Sequence, residues 1–159
     1  MKLYTSVGPN PRVVKMFMAE KGVTLDMVTV DLRAGENRQE PFLNVNPSGQ
    51  TPSLELDDGS NLNEITAICE YLEEKNPATP LIGTTAEERA VTRMWTRRVD
   101  LKVCEPLANG FRYGEGLPMF ESRMRCLPEA SPGLKLVAQD GVQWFENNVQ
   151  GPFMLVSNH

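Results

Sequence analysis

The segment 46–72 restricts the possible folds of this chain more than any other part of the sequence. Because proline cannot donate to a strand ladder, Pro52 is tolerated only at the first residue of a strand or on a sheet edge. Leucines alternate with acidic residues over 54–57, which predicts a half-buried strand, and Asp58-Gly59 then predicts a two-residue hairpin turn. Asn63 is the predicted N-cap of a helix whose apolar residues share one face: Ile65, Ile68, Cys69 and Leu72.

The residues before this segment predict a strand, a helix and a second strand. Lys2–Thr5 and Leu25–Val30 have the composition of short strands. Between them, a helix is predicted with Asn10 as its N-cap, a stop at Gly22 and an apolar stripe made by Val13, Met16 and Phe17. A helix between two strands favours a right-handed crossover to a parallel neighbour. With 33–45 as a loop or short irregular helix, the order β-α-β, link, β-β-α indicates a small α/β domain.

The rest of the chain predicts helices. Residues 77–84 have the composition of a linker, and Thr85 with Glu88 forms a predicted capping box that starts a new helix. Pro106 and Gly110 are expected to bend or end that helix, and a further helix is predicted over 134–148 before a turn at 151–155. We therefore predict three parts in the chain: a domain over 1–76, a linker over 77–84 and a helical domain over 85–159.

Composition and charge exclude several classes of function. The net charge of −5 argues against nucleic acid or an anionic membrane as the main partner, and no apolar run is long enough to span a membrane. The first residues pass directly into a strand pattern, so no signal peptide is expected. The three cysteines fit reduced thiols, and a cytoplasmic location is therefore expected. The single histidine is His159, so neither a histidine-dependent catalytic relay nor a metal site is predicted. Walker and GxGxxG nucleotide-binding motifs are absent.

The segment 46–72 resembles the second half of the thioredoxin-like domain of glutathione S-transferases. The features that agree, in order, are Asn46-Pro47-Ser48-Gly49-Gln50, Pro52, the alternating strand, the Asp-Gly turn, Glu64 at a helix start, and Ala67-Ile68 followed by Tyr71-Leu72. The resemblance extends over 1–155. It implies an α/β thioredoxin-like domain followed by an all-α helical domain, a cis Thr51–Pro52 bond, and a homodimer.

The resemblance also implies a glutathione site. Thr51 would offer its backbone N–H and C=O to the cysteinyl unit of the tripeptide, and Glu64 would bind the γ-glutamyl ammonium. The amide of Ile65 would bind the adjacent carboxylate. Gln50 and Pro52 complete the expected glutathione-binding residues.

The implied chemistry is activation of the glutathione thiol, whose pKa of about 8.5 must fall so that thiolate forms at neutral pH. The thiolate would attack a small hydrophobic electrophile or a peroxide. Ser6 falls where tyrosine-type transferases keep their tyrosine, and Gly8 where serine-type enzymes keep their serine. Ser6 and Asn10 remain as the two alternative hydrogen-bond donors to the sulfur.

The sequence departs from the family pattern at two places. Ile65 stands where a serine hydroxyl commonly contacts the ligand carboxylate, which removes one hydrogen bond worth about 0.5–1.5 kcal/mol. After Leu155 the family normally continues into further helices, so the helical domain is expected to be incomplete. The alternative function is a non-catalytic glutathione-binding or protein-interaction relative. A thioredoxin-type oxidoreductase is disfavoured because no CxxC follows the first strand, and Cys69 is expected to be a core residue.

Overall fold

The structure, a computed structural model, describes residues 1–149, so the turn predicted at 151–155 and His159 lie outside the described residues. The described chain divides into two compact units, Met1–Ile82 and residues 83–149. Within residues 1–149, every helix is too short or too polar to cross a membrane.

The first unit is a four-stranded mixed sheet with helices. Its strands are β1 (Lys2–Thr5), β2 (Asp26–Thr29), β3 (Ser53–Glu55) and β4 (Asn61–Asn63), and its helices are α1 (Pro9–Lys21), α2 (Phe42–Val45) and α3 (Ile65–Lys75). A 3-10 turn over Glu36–Arg38 precedes α2. The strand order is β2-β1-β3-β4, with β1 parallel to β2 and antiparallel to β3, and β3 antiparallel to β4. This is the expected thioredoxin-like topology.

One apolar cluster forms the core of the first unit. Its buried members are Leu3, Val14, Met18, Leu54, Ile68, Cys69 and Leu72. The predicted face of α3 is confirmed, because Ile68, Cys69 and Leu72 are buried and Ile65 packs against them. The predicted face of α1 is confirmed only at Phe17, which packs against this cluster. Val13 and Met16 are each 37% exposed, and the buried residues of the helix are instead Pro11, Val14, Met18 and Lys21.

The N-caps predicted for α1 and α3 are both wrong. Helix α1 begins at Pro9 with Gly8 as its N-cap, so Asn10 lies inside the first turn instead of capping it. Helix α3 has Glu64 as its N-cap because Asn63 is still part of β4, where it pairs with Ser53.

The connection between β3 and β4 is longer than the predicted two-residue turn. The Gly59 N–H donates to the Leu56 carbonyl at 3.1 Å, and the Leu56 N–H donates to the Ser60 carbonyl at 2.8 Å. Gly59 has a φ of 83°, while Asp58 keeps a negative φ and accepts hydrogen bonds from Ser60. This is the geometry of a three-residue hairpin loop that ends in a left-handed glycine.

The second unit is entirely helical within residues 83–149. Its helices are α4 (Ala86–Val99), α5 (Glu105–Tyr113), α6 (Leu117–Phe120) and α7 (Ser131–Asn148), with a 3-10 turn at Pro128–Ala130. The capping box is confirmed, since the Glu88 N–H donates to Thr85 Oγ1 at 3.1 Å and Glu88 Oε2 accepts from the Thr85 N–H at 3.2 Å. The α/β thioredoxin-like domain followed by a helical domain is thus the fold that the sequence predicted.

Pro106 does not end the helix in the second unit, because a wider, π-helical segment precedes it. Residues Asp100–Cys104 form a π-helical segment between α4 and α5, in which the Glu105 N–H donates to the Asp100 carbonyl. Pro106 has no N–H to offer the Lys102 carbonyl, which would be its partner in a regular α-helix. That carbonyl instead lies so close to Gly141 in α7 that a Cβ there would collide with it. Gly110 does not end α5 either, because it lies buried inside that helix.

Alanine at Gly141 is expected to lower the free energy of unfolding by about 1–3 kcal/mol, because the added methyl group would force α7 away from the Lys102 carbonyl. Gly133→Ala is the matched control in the same helix, where a Cβ meets nothing within 4 Å. We expect that control to raise stability by up to about 1 kcal/mol, since alanine is the better helix former. Urea denaturation followed by tryptophan fluorescence makes the comparison, since both tryptophans, Trp95 and Trp144, lie in this unit. Equal stability of the two variants would contradict the expected clash.

Candidate functional site

Strand pairing brings the predicted site residues to one edge of the sheet. Because β1 and β3 are antiparallel, the end of β1 lies beside the start of β3, and Tyr4 pairs with Ser53. The end of β4 lies at the same edge, because Asn63 also pairs with Ser53. Ser6 follows β1, Thr51-Pro52 precedes β3, and Glu64-Ile65 follows β4. The sheet therefore gathers residues separated by almost sixty positions in sequence.

The loop that carries Gln50 and Thr51 is held by two buried asparagines. Asn46 Oδ1 accepts from the Ser48 N–H at 3.0 Å, and Asn46 Nδ2 donates to the Gln50 carbonyl at 2.8 Å. Asn37 Nδ2 donates to the Gly49 carbonyl at 2.7 Å. Asn37 and Asn46 are 6% and 4% exposed. Their hydrogen bonds fix the backbone just before Thr51.

Sequence reasoning missed the bracing roles of both asparagines. The Asn46 side chain bonds the N–H two residues on, and an asparagine that precedes proline and serine in a loop is a recognisable signal for such a turn. Asn37 leaves no such local signal, because its partner lies twelve residues away. Gly49 is required beside Asn37, because its φ is 66° and a Cβ would lie 2.7 Å from the Asn37 carbonyl oxygen.

Ser6 and Thr51 meet directly. The peptide bond between Thr51 and Pro52 is cis, as expected. Ser6 Oγ lies 2.6 Å from Thr51 Oγ1, and Ser6 is only 5% exposed. The backbone N–H and C=O of Thr51 make no hydrogen bond within residues 1–149. A half-buried backbone N–H and C=O without hydrogen-bond partners can pair with an extended peptide ligand.

Asn10 occupies a different position from Ser6. Its side chain is exposed in the first turn of α1. Pro9 and Pro11 on either side have no N–H, so the Asn10 amide is the one donor among the first three residues of this helix. The structure thus links Ser6 to the predicted glutathione loop through a hydroxyl contact, whereas Asn10 offers its side chain to solvent.

Glu64 has an unusual backbone. It is the one described residue other than glycine with a positive φ, at φ 73° and ψ 129°. Its side chain is exposed and forms no capping hydrogen bond, so the carboxylate is available to a ligand. The first turn of α3, which begins at Ile65, contains no acidic side chain that could accept a hydrogen bond from its backbone amides. Free amides at a helix start favour a bound carboxylate.

Two further titratable groups of the first unit, Tyr4 and Cys69, have raised pKa values. The Tyr4 hydroxyl donates to Glu55 Oε2 at 2.8 Å, and this hydrogen bond raises the pKa of Tyr4. Burial raises the pKa of the Cys69 thiol to about 12, so it stays protonated and packs as a core residue. Within residues 1–149, no group of three or more His, Cys, Asp or Glu side chains has the arrangement of a metal site.

The comparisons with known proteins identify the family and the fold. Residues 7–75 match the family model described as glutathione S-transferase, N-terminal domain. A crystal structure of a glutathione S-transferase domain-containing protein from Marinobacter aquaeolei VT8 is 34% identical, covering 92% of this chain and 73% of that one, with a TM-score of 0.84. Gtt2 from Saccharomyces cerevisiae is 33% identical, covering 92% of this chain and 72% of that one, with a TM-score of 0.81.

The chain belongs to the glutathione S-transferase family. Among curated relatives, glutathione S-transferase 2 of Saccharomyces cerevisiae is 36% identical over 111 residues, which are 69% of this chain and 48% of that protein. Maleylacetoacetate isomerase of Pseudomonas aeruginosa is 38% identical over 96 residues, 58% of this chain and 45% of that protein. The chain spans about half the length of these curated relatives.

Proposed function

We propose that this protein is a glutathione transferase that conjugates the glutathione thiolate to small hydrophobic electrophiles or reduces peroxides with it. The observation that carries the proposal is the gathering of Ser6, Thr51 and Glu64 at one sheet edge, beside an unpaired backbone amide and carbonyl at Thr51. Membership of the family supplies the class of ligand.

Glutathione would bind along this edge as an additional short strand. The Thr51 N–H and C=O would pair with its cysteinyl unit, with the backbone of Gln50 and the ring of Pro52 shaping that contact. Glu64 would bind the γ-glutamyl ammonium, and the Ile65 amide at the start of α3 would bind the neighbouring carboxylate. The γ-glutamyl unit carries a cationic ammonium and an anionic carboxylate. Glu64 would supply a negative charge to the ammonium, and the Ile65 amide would supply a hydrogen-bond donor to the carboxylate.

Activation of the thiol would come from hydrogen bonding to the charged form, which lowers a pKa. Ser6 is one donor for the sulfur and Asn10 is the other. The thiolate then forms a carbon–sulfur bond as a leaving group departs with its electron pair. With a peroxide, the sulfur attacks oxygen, the O–O bond breaks and an alcohol leaves. The glutathione sulfenic acid that forms then reacts with a second glutathione to give the disulfide and water.

The remaining features of the proposal follow from the composition and the family. The free cysteines, which fit a reducing compartment, support a cytoplasmic location. We include a homodimer and a hydrophobic electrophile as further parts of the proposal.

A second candidate is a glutathione-binding relative without turnover. Ile65 and Gly8 favour it, because each stands where family members commonly supply a hydroxyl to the ligand. Both candidates predict binding of glutathione, and they differ in catalysis.

Calorimetric titration with reduced glutathione tests the proposal. We expect saturable binding that weakens at least about tenfold in Glu64→Gln, because a hydrogen bond to a charged group is worth about 1.5–3 kcal/mol. Glu74→Gln, an exposed position on the same helix, is the matched control and is expected to bind like the wild type. Binding with turnover of an activated aryl halide or a hydroperoxide supports the transferase. Binding without turnover supports the second candidate, and a folded protein that does not bind glutathione contradicts both.

A further inference from the structure

The Ser6 and Thr51 hydroxyls form a hydrogen bond whose direction has a chemical consequence. Their oxygens are 2.6 Å apart, near the short end of the usual range for O–H···O bonds. Each hydroxyl has a single proton, so only one of the two residues can donate in this bond. The other residue keeps its proton for a different acceptor.

A neighbouring carbonyl indicates which residue donates. Ser6 Oγ also lies 3.2 Å from the Val7 carbonyl oxygen, which can only accept. The arrangement that satisfies both contacts has Ser6 donating its one proton to Val7 and Thr51 donating to Ser6. The chain of hydrogen bonds runs from Thr51 to Ser6 to Val7.

The second bond of this chain is the weaker one. Its 3.2 Å length exceeds the usual 2.5–3.0 Å of O–H···O bonds, so a better acceptor close to Ser6 can replace the Val7 carbonyl. A thiolate is such an acceptor, because hydrogen bonds to ionised groups are stronger than those to neutral groups.

We infer that the Thr51 side chain is a positioning residue, which donates to Ser6 and thereby leaves the Ser6 proton free for the glutathione thiolate. This inference rests on the proposed function, in which the Thr51 backbone holds the cysteinyl unit and so brings the sulfur close to Ser6. It adds a side-chain role to that backbone role and selects Ser6 over Asn10 as the sulfur donor. A hydroxyl that accepts a hydrogen bond also becomes a better donor, so Thr51 strengthens the bond it does not itself make.

The step involves no covalent change in the protein. The Ser6 hydroxyl rotates about its Cβ–Oγ bond and exchanges the Val7 carbonyl for the sulfur. The thiol proton of glutathione passes to solvent, and the Ser6 and Thr51 protons stay on their own oxygens.

Thr51→Val tests the inference, because valine has nearly the shape of threonine and keeps the backbone N–H and C=O. We expect the pKa of bound glutathione, followed by the ultraviolet absorbance of the thiolate, to rise in this variant. Turnover of an activated aryl halide, as kcat/KM at neutral pH, is expected to fall by about three- to tenfold, the effect of one hydrogen bond. The Kd for glutathione measured by calorimetry is expected to stay close to the wild-type value.

Two further variants separate positioning from packing. Thr51→Ser keeps the hydroxyl and is expected to restore the thiol pKa and the turnover. In a Ser6→Ala background, Thr51→Val is expected to cause no further loss, because its effect passes through Ser6.

Several results would overturn the inference: an unchanged thiol pKa in Thr51→Val, an equal loss in the Ser6→Ala background, or no rescue by serine. A wild-type protein that binds glutathione without lowering its thiol pKa would overturn it as well. A wild-type protein that does not bind glutathione would instead overturn the proposed function, a result that is visible before any variant is made.

Discussion

Glutamine in place of Glu73 is expected to lower the free energy of unfolding of the first unit by about 3–5 kcal/mol, as is typical when one partner of a buried ion pair is removed. Lys21 Nζ lies 2.6 Å from Glu73 Oε2, and the two side chains are 0% and 1% exposed. Lys21 also donates to the Thr79 carbonyl at 2.6 Å. Without the carboxylate charge, the Lys21 ammonium would stay buried and uncompensated. Urea denaturation followed by circular dichroism measures the loss.

Replacement of both partners provides the informative control. The double variant Lys21→Met with Glu73→Leu has no buried charge left, so we expect it to recover most of the stability lost in Glu73→Gln. Glu74→Gln, at the exposed neighbouring position, is expected to change stability by less than about 0.5 kcal/mol. A Glu73→Gln protein as stable as Glu74→Gln would mean that the buried pair contributes nothing.

The same ion pair makes the free energy of unfolding depend on pH in acidic solution. Burial acts to raise the pKa of Glu73, but the hydrogen bonds from Lys21 and from the Leu81 and Ile82 amides outweigh it, so the pKa lies below its ordinary value of 4.5. A carboxyl with a lowered pKa in the folded state stabilises above its unfolded pKa, and this contribution is lost as the pH falls through the folded pKa. The stability difference between wild type and Glu73→Gln should therefore be constant above about pH 5 and shrink in more acidic solution.

Glycine in place of Glu64 is expected to have opposite effects on binding and on stability. Glu64 has a φ of 73° and a ψ of 129°, a conformation that costs a residue other than glycine about 1–3 kcal/mol. Glycine relieves this strain but loses about 0.5–1 kcal/mol of backbone entropy, so a net gain in stability of about 1 kcal/mol is expected. The Kd for glutathione should nevertheless rise by about ten- to a hundredfold, because the carboxylate proposed to bind the ligand ammonium is gone.

Comparison with Glu64→Gln separates the two effects. Glutamine keeps the strained backbone and removes only the charge, so it should weaken binding without a gain in stability. Thermal unfolding and calorimetry on both variants make the comparison. A glycine variant that is less stable than the glutamine variant would mean that the Glu64 conformation is unstrained.

Local sequence rules predicted the elements whose causes are local. The Thr85–Glu88 capping box and the buried face of α3 both depend on residues a few positions apart, and both were confirmed. The face of α1 was predicted wrongly at Val13 and Met16, and the burial of Lys21 in that helix was not predicted at all. Lys21 can be buried only because it pairs with Glu73, and that partner lies 52 residues away. The N-cap of α3 was missed for a similar reason, since Asn63 is committed to β4.

The candidate site, like the fold, could be predicted only in part from the sequence. The motif around Gly49 and Pro52 identified the loop, and the strand order then determined which residues share its edge. The contact between Ser6 and Thr51 was not predictable, because it depends on the pairing of two strands and on a rotamer of each hydroxyl. No spacing rule connects residues 45 positions apart.

The bracing of Gly49 by Asn37 means that the loop does not encode its own shape. Its backbone path is set partly by a residue outside the motif, through one hydrogen bond and one close backbone approach. Transplanting residues 46–52 alone into another scaffold would carry the atoms proposed to contact glutathione but leave their support behind. A designed glutathione binder that borrows this loop needs the 3-10 turn that bears Asn37 as well.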